Sequence, residues 1–412
     1  MIKRLLKSTF LFFLIGILSC GNTNKQSEIQ TEEVAVEKQE QPEIGEIITG
    51  ANLTEKYLPL LKNKKVGIVG NQTSVIKTEN RKFTHLVDSL LQLEINIKKV
   101  FAPEHGFRGT ADAGEVVKNG LDTKTGLPVI SLYGDQKKPS AESLKNIDIM
   151  VFDIQDVGAR FYTYISSLHY IMEACAENNI PLLILDRPNP NGYYIDGPIL
   201  ELENQSFVGM HPVPVVHGMT IGEYAKMING EKWLKNGIQC ELKIIVMSNY
   251  NHNRSYSLPI KPSPNLPNDR SINLYPSLCF FEGTNVNAGR GTNDQFQVFG
   301  SPFLNKEYYS YSYTPEPMDG AKYPKHSGKI CYGENLTNSD TLDQLNLEWL
   351  IKAYQNTSDK SEFFIPFFTN LAGTKKLQEK IEKGMSEKEI KATWASDLEK
   401  FKTIRSKYLI YQ

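Results

Sequence analysis

Between residues 64 and 247 the chain alternates short apolar runs with longer stretches whose apolar residues recur at helical spacing. Val66-Gly67-Ile68-Val69-Gly70 reads as a buried strand that ends at Asn71-Gln72-Thr73. Phe83 to Leu93 carries apolar residues at 83, 86, 87, 90, 91 and 93, which predicts a helix. Ile95 to Phe101, Pro128 to Leu132, Ile147 to Phe152, Pro181 to Leu185, Val213 to Val216 and Leu242 to Met247 read as further strands. A helix is predicted after Arg160 through about Asn178, and a capping box, Thr220-x-x-Glu223, opens another that runs to Asn229. Strands separated by helices of this length predict an α/β fold with a doubly wound, mostly parallel sheet. Right-handed crossovers gather the strand ends on one edge. Asn71, Glu104, Asp153, Asp156, Asp186, Arg187 and His217 are therefore expected around one crevice.

The pattern changes near residue 250. Lys261-Pro262-Ser263-Pro264-Asn265-Leu266-Pro267 is extended and stiff, and Tyr275 to Gly300 is rich in glycine and asparagine. Helices are expected at 341–355, 374–383 and 386–405, which makes the remainder a smaller α+β region. A chain of 412 residues suits two domains. The expected division is 49–255 for the sheet domain and 256–412 for a smaller C-terminal domain completing the crevice.

The first 20 residues read as a targeting signal: Lys3, Arg4 and Lys7 precede an apolar stretch, Phe10 to Leu18, too short to span a bilayer. The stretch ends in Ile17-Leu18-Ser19-Cys20-Gly21, which resembles a bacterial lipoprotein cleavage site with Cys20 as the lipidated residue. Residues 21–48 are rich in Glu, Gln, Lys, Asn and Thr and read as a disordered tether. The expected location is the bacterial cell envelope, periplasm-facing, with membrane contact only through the lipid on Cys20.

Composition excludes several functions. A formal net charge of −1 gives no global field to recruit nucleic acid. Cys175, Cys240, Cys279 and Cys331 form no CxxC pair, so buried free thiols are expected. Gly67-x-x-Gly70 is neither a dinucleotide fingerprint nor a phosphate loop, and Gly289-Arg290-Gly291 lacks the third glycine of one. No G-x-S-x-G elbow occurs, and His211 and His217 stand six apart with prolines between them, a poor spacing for a shared ion. No cofactor and no metal are expected.

The chemistry concentrates in Phe101-Ala102-Pro103-Glu104-His105-Gly106-Phe107-Arg108-Gly109. Proline and two glycines force a turn directly after a strand, and that turn carries a carboxylate, an imidazole and a guanidinium. In open α/β sheets ligands bind outside the carboxyl ends of the strands. Glycoside hydrolysis uses two carboxyl groups flanking the scissile bond, one of them an acid. Glu104, flanked by Pro103 and Phe107, is the candidate acid, with Asp153, Asp156, Asp112 and Glu115 as candidate partners. Each of these carboxylates has a plain alternative, a structural ion pair with Arg108 or Arg160. Arg160, Arg187 and Arg290 sit in turn-rich loops where a guanidinium grips a carboxylate in a fork.

Seven runs in order carry a family resemblance: FAPEHGFRGTADAGE, LDTKTGLPVISLYG, VFDIQDVGARFYTYISSLHY, LDRPNPNG, SFVGMHPVPVVHGMTIGEYA, PSPNLPN and EGTNVNAGRGT. From roughly Leu53 onward the chain resembles the NamZ-type exo-β-N-acetylmuramidases, long filed as a domain of unknown function. The resemblance implies a Rossmann-like domain, a smaller C-terminal domain, and a cleft between them that acts on peptidoglycan-derived saccharides such as MurNAc–GlcNAc. The family's P-E-H-G glutamate falls on Glu104, and its other loops add Asn265, Glu282, Asn285 and Arg290 as substrate contacts beside Asn71, His105, Arg108, Gln155, Arg160, Tyr162, Asp186, Arg187 and His217. One departure is Gly70, where the resemblance leads to a threonine.

N-acetylmuramic acid carries a lactyl carboxylate that its partner sugar lacks, so an arginine fork is the expected discriminator. Arg160 is the first choice, at the start of a helix and beside Tyr162 and Tyr164, ahead of Arg108, Arg187 and Arg290. The alternatives to an exo-muramidase are a lipid-anchored muropeptide-binding protein without catalysis and a peptidoglycan amidase or deacetylase.

Overall fold

The computed structural model describes residues 45–78, 82–109 and 119–412. Cys20, the leader, the tether to residue 44, Asp112 and Glu115 lie outside the described residues. The strands of the N-terminal half are β1 (Val66–Gly70), β2 (Val75–Lys77), β3 (Phe83–His85), β4 (Ile97–Ala102), β5 (Gly120–Leu121), β6 (Pro128–Ser131), β7 (Ile149–Asp153), β8 (Leu182–Leu185) and β9 (Leu242–Ile245). Seven of them form one sheet in the order β5-β6-β4-β1-β7-β8-β9. All its pairings are parallel except β5 with β6 at one edge. The central β1 and β7 are buried at every position, as expected of strands covered on both faces. After β1 the chain moves to β4 and β6, then crosses back to β7 on the other side of β1. This reversal opens the crevice that doubly wound sheets use for ligands.

Two expected elements differ. The helix predicted over Phe83–Leu93 begins only at Leu86, because Phe83–His85 is drawn into an antiparallel pair with β2. The stretch Val213–Val216 is buried but joins no sheet. Pro212 and Pro214 remove the ladder donors, and Val216 makes only isolated bridges to Ala159 and Asp196. The expected capping box at Thr220 is present and starts the helix Ile221–Gly230. Cys175, Cys240, Cys279 and Cys331 are buried free thiols.

The smaller C-terminal part carries a separate antiparallel sheet, β10 (Val298–Ser301), β11 (Tyr311–Tyr313) and β12 (Cys331–Asn335), in the order β10-β12-β11. The helical region expected at 386–405 divides into Glu387–Ala392 and Ala395–Ser406. One apolar core runs through both parts, with Phe152 and Ile165 in the same cluster as Phe280, Phe299 and Phe368. Among the described residues no helix is long and apolar enough to cross a membrane.

Candidate active site

β4 ends in the wholly buried Phe101 and Ala102, and the chain then turns sharply. His105 and Gly106 adopt left-handed conformations, φ 69° and 77°, and Gly106 N–H donates to the Pro103 carbonyl at 3.0 Å. Positive φ is uncommon for a residue with a side chain, though histidine tolerates it more readily than most. The turn presents Glu104 to a cavity of about 280 Å³ between the strand ends and the C-terminal part. Thr163, directly ahead of the helix Tyr164–Glu177, donates its hydroxyl to Glu104 Oε2 at 2.8 Å.

The cavity's aromatic wall follows β7. Tyr162 donates to the Pro262 carbonyl at 2.8 Å, and Tyr164 reaches the same oxygen at 3.3 Å while accepting from Asn71 Nδ2 at 2.8 Å. Gln72 Nε2 also donates to Pro262 O, at 3.1 Å. The stiff proline segment is thereby tied over the sheet edge, and it brings Ser263, Asn265 and Leu266 to the cavity.

The opposite wall comes from residues 275–296. Glu282 accepts from Arg290 Nη1 at 2.8 Å, and both side chains remain about a quarter exposed. Arg290 stands between Gly289 and Gly291, whose φ values are 77° and 86°. A Cβ at 289 would lie 2.5 Å from Asp294 O, and one at 291 would lie 2.7 Å from Pro324, so only glycine fits this loop. Behind it Lys325 donates to the carbonyls of Phe281, Thr284 and Val286. Burial lowers the Lys325 ammonium to about 8. Tyr275 lies within electrostatic reach of both Glu282 and Glu104; burial first, then the neighbouring negative charge, holds its phenol well above the usual range.

Of the residues expected at the site, Glu104, His105, Tyr162, Asn265, Glu282 and Arg290 line this cavity. Several others stand elsewhere. Asp153 is fully buried, and Arg187 grips it with Nε at 2.6 Å and Nη2 at 2.9 Å, a closed fork that leaves neither group for a substrate. Arg160 is fully buried too. Its Nη1 donates to Pro198 O and Val213 O, at 2.7 and 2.6 Å, and its Nη2 to Leu371 O and Ala372 O, at 3.0 and 2.7 Å. It pins three backbone segments together and is not the carboxylate reader that its place in the sequence suggested. Arg108 binds Asp122 and Asp88 and stacks on Phe107, outside the cavity.

Asp186 accepts from Thr220 Oγ1, Gly222 N and the Tyr411 hydroxyl, and so joins the C-terminus to the sheet. Gln155 donates to the carbonyls of Asp156 and Pro188. Asn71 donates to Tyr164, which lines the cavity, and Asn285 lies outside the lining. Asp156 and His217 form a buried pair, Oδ2 to Nε2 4.0 Å. Burial raises the Asp156 carboxyl to about 7 and lowers the His217 imidazole to about 3. Neither side chain lines the cavity, and Asp156 Oδ1 and His217 Nε2 have no hydrogen-bond partner among the described residues. Strand-end position alone selected these residues, and it does not distinguish a side chain pointing into the crevice from one pointing into the core.

The sequence reading passed over Thr163, Tyr133, Phe207, Tyr275 and Phe367, all of which line the cavity. Thr163 had a usable signal, a polar residue among the aromatics of Phe161-Tyr162-Thr163-Tyr164 one turn past a strand end. Phe207 and Phe367 had none, since they arrive from distant loops.

Comparison with known proteins shows the family and the fold. The family models described as exo-β-N-acetylmuramidase NamZ, N-terminal and C-terminal, match residues 66–270 and 273–411. The peptidoglycan β-N-acetylmuramidase NamZ of Bacillus subtilis (strain 168) is 37% identical over 426 residues, covering 98% of this chain and all of that one. Two DUF1343 family proteins of Bacteroides fragilis NCTC 9343 share the fold. One has a TM-score of 0.82 at 48% identity, the other 0.75 at 28%, and each comparison covers 89% of this chain and 99% of the other. With both family models matched in order across the described sheet domain and C-terminal part, this chain belongs to the NamZ exo-β-N-acetylmuramidase family.

Proposed function

We infer that this chain is an exo-acting glycoside hydrolase that releases N-acetylmuramic acid from the non-reducing end of peptidoglycan fragments, in cell-wall turnover and recycling. The observation that carries the inference is Glu104, set by a strained turn at the carboxyl end of β4, fixed by Thr163 and facing a sugar-sized cavity. A volume of about 280 Å³ lies at the small end of ligand pockets and suits one terminal sugar rather than a running chain. Tyr133, Tyr162 and Phe207 offer ring faces, and Asn265 and Ser263 offer hydrogen bonds. Membership in the family supports the same reading.

In this mechanism Glu104 gives its proton to the glycosidic oxygen as the bond from that oxygen to C1 breaks. The aglycone sugar leaves with the proton, and water supplies the hydroxyl to C1 and a proton back to Glu104. Thr163 keeps the carboxyl in one orientation through the cycle. Asn71, through Tyr164, keeps the aromatic wall and the proline segment in register. The leader sequence supports a location in the bacterial envelope, held through lipid on Cys20 and facing the periplasm. The division expected from the sequence, 49–255 and 256–412, assigns the proline segment and residues 275–296 to the part that closes the cavity.

The product assay tests the reading. The purified protein is incubated with MurNAc–GlcNAc, and the products are separated by mass. Free N-acetylmuramic acid and N-acetylglucosamine are expected. Binding without cleavage would identify a muropeptide-binding protein, loss of acetyl mass alone a deacetylase, and loss of peptide mass from a parallel sample of a peptide-bearing muropeptide an amidase.

A further inference from the structure

Four arginines sit in turn-rich loops, and the structure gives each a different surrounding. Arg108, Arg160 and Arg187 are committed to carboxylates or carbonyls outside the cavity. Among the described residues lining the cavity, Arg290 supplies the guanidinium. Its Nη1 meets Glu282 at 2.8 Å, and its Nη2 reaches Gly320 O at 3.4 Å, a weak contact. A guanidinium has five donors, and this one lines open cavity space.

The surrounding charge favours an anion. Lys325 lies close enough to Glu282 and Arg290 to act on both electrostatically, and its three carbonyl partners keep it in the wall. Arg290 and Lys325 stand against Glu282 in this wall, and Glu104 in the same cavity is uncharged while it holds the proton it donates. In that protonation state the wall has room for one carboxylate from a ligand.

We propose that Arg290, positioned by Glu282, is the residue that reads the lactyl carboxylate of the muramic acid and thereby selects this sugar over N-acetylglucosamine. The proposal rests on the glycosidase reading above and adds to it the group that sets substrate choice. The substrate brings one carboxylate, and an arginine fork matches that planar group with two parallel hydrogen bonds. The glycines on both sides fix the backbone that carries Arg290, and Glu282 holds its Nη1, so the guanidinium is oriented before substrate arrives. Glu282 is a positioning residue here: it holds Nη1 and orients the remaining donors.

The test uses the full-length chain and three aryl β-glycosides: the N-acetylmuramide, its lactyl carboxamide, and the N-acetylglucosaminide. Arg290→Met is expected to lower kcat/KM on the muramide by about 10- to 100-fold and to change the two uncharged substrates by less than about threefold. Arg290→Lys, which keeps the charge without the fork, is expected to recover part of the loss and guards against misfolding of the Met variant. Equal losses on all three substrates, or a Lys variant no better than Met on the muramide, would overturn the assignment. If the wild type cleaves none of them, the glycosidase reading fails, and calorimetry still decides Arg290. A wild-type preference for N-acetylmuramic acid over N-acetylglucosamine that disappears in Arg290→Met supports the reader, and a preference that persists refutes it.

Discussion

At Glu104 an amide in place of the carboxyl can still accept the Thr163 hydroxyl but has no proton to transfer. Glu104→Gln is therefore expected to lower turnover of MurNAc–GlcNAc by about 100- to 10,000-fold with an unchanged melting temperature. Near-normal release of free sugars by that variant would remove Glu104 from the acid's role. Asp156 carries a stability consequence instead. Burial raises its carboxyl from the ordinary 3.8 to about 7, so between those values the unfolded chain ionises while the folded one keeps the proton. Its contribution is fully present below pH 3.8 and is lost as pH rises toward 7. The size is on the order of 4 kcal/mol for a fully buried group. His217, lowered to about 3 by burial, slopes the other way between that value and 6.5, so the measurement is a difference. Urea titrations of Asp156→Asn and wild type from pH 4 to 7 are expected to diverge, the variant gaining stability relative to wild type. Parallel curves would show that Asp156 stays ionised in the folded protein.

Among the elements, the helix Ile221–Gly230 is written almost entirely in local sequence. Thr220 Oγ1 accepts from Glu223 N at 3.3 Å, and Glu223 Oε2 accepts from Thr220 N at 3.0 Å. The same threonine hydroxyl donates to Asp186 Oδ2 at 2.7 Å, which ties the cap to the end of β8. Thr220→Ala is expected to cost about 1–2 kcal/mol, read as a lower urea midpoint with unchanged slope. A change below a few tenths would mean that water replaces the cap. The segment Phe83–His85 shows the opposite case. Its spacing continues the helix of Leu86–Gln92, yet pairing with β2 wins, because a hairpin partner lies only a few residues upstream. Gly70 is explained at this scale as well. A Cβ there would meet Ser74 Oγ at 2.7 Å, and that hydroxyl receives Asn71 N–H and donates to Asp153 O.

Across the whole molecule the cavity joins residues that are far apart in sequence. Glu104 and Thr163 come from the sheet edge, Glu282 and Arg290 from a loop well over a hundred residues later, and the proline segment spans them. A variant that loosens one wall should therefore disturb catalysis without touching the acid. The proposed anchoring is separable from this chemistry. Cys20→Ala is expected to move the enzyme from the membrane fraction to the soluble envelope fraction with activity on MurNAc–GlcNAc retained. Equal membrane recovery of variant and wild type would discard the lipid on Cys20 as its anchor.

Apolar runs separated by helical spacing determined the parallel sheet, since β1 and β7 must be buried on both faces and their sequences are apolar throughout. The turn chemistry of Pro103 to Gly109 likewise announced Glu104, because a strand end followed by proline and glycine exposes whatever acid lies between. Which arginine lines the cavity was a different kind of question. Arg108, Arg160, Arg187 and Arg290 look alike in sequence, each beside turn residues, and only tertiary packing supplied three of them with carboxylates or carbonyls outside the cavity. The same holds for Asp153, whose partner Arg187 lies on the neighbouring strand's end, 34 positions away. Local sequence fixes backbone conformation through short-range sterics and hydrogen bonding. The direction and partner of a side chain depend on what the rest of the chain places opposite it.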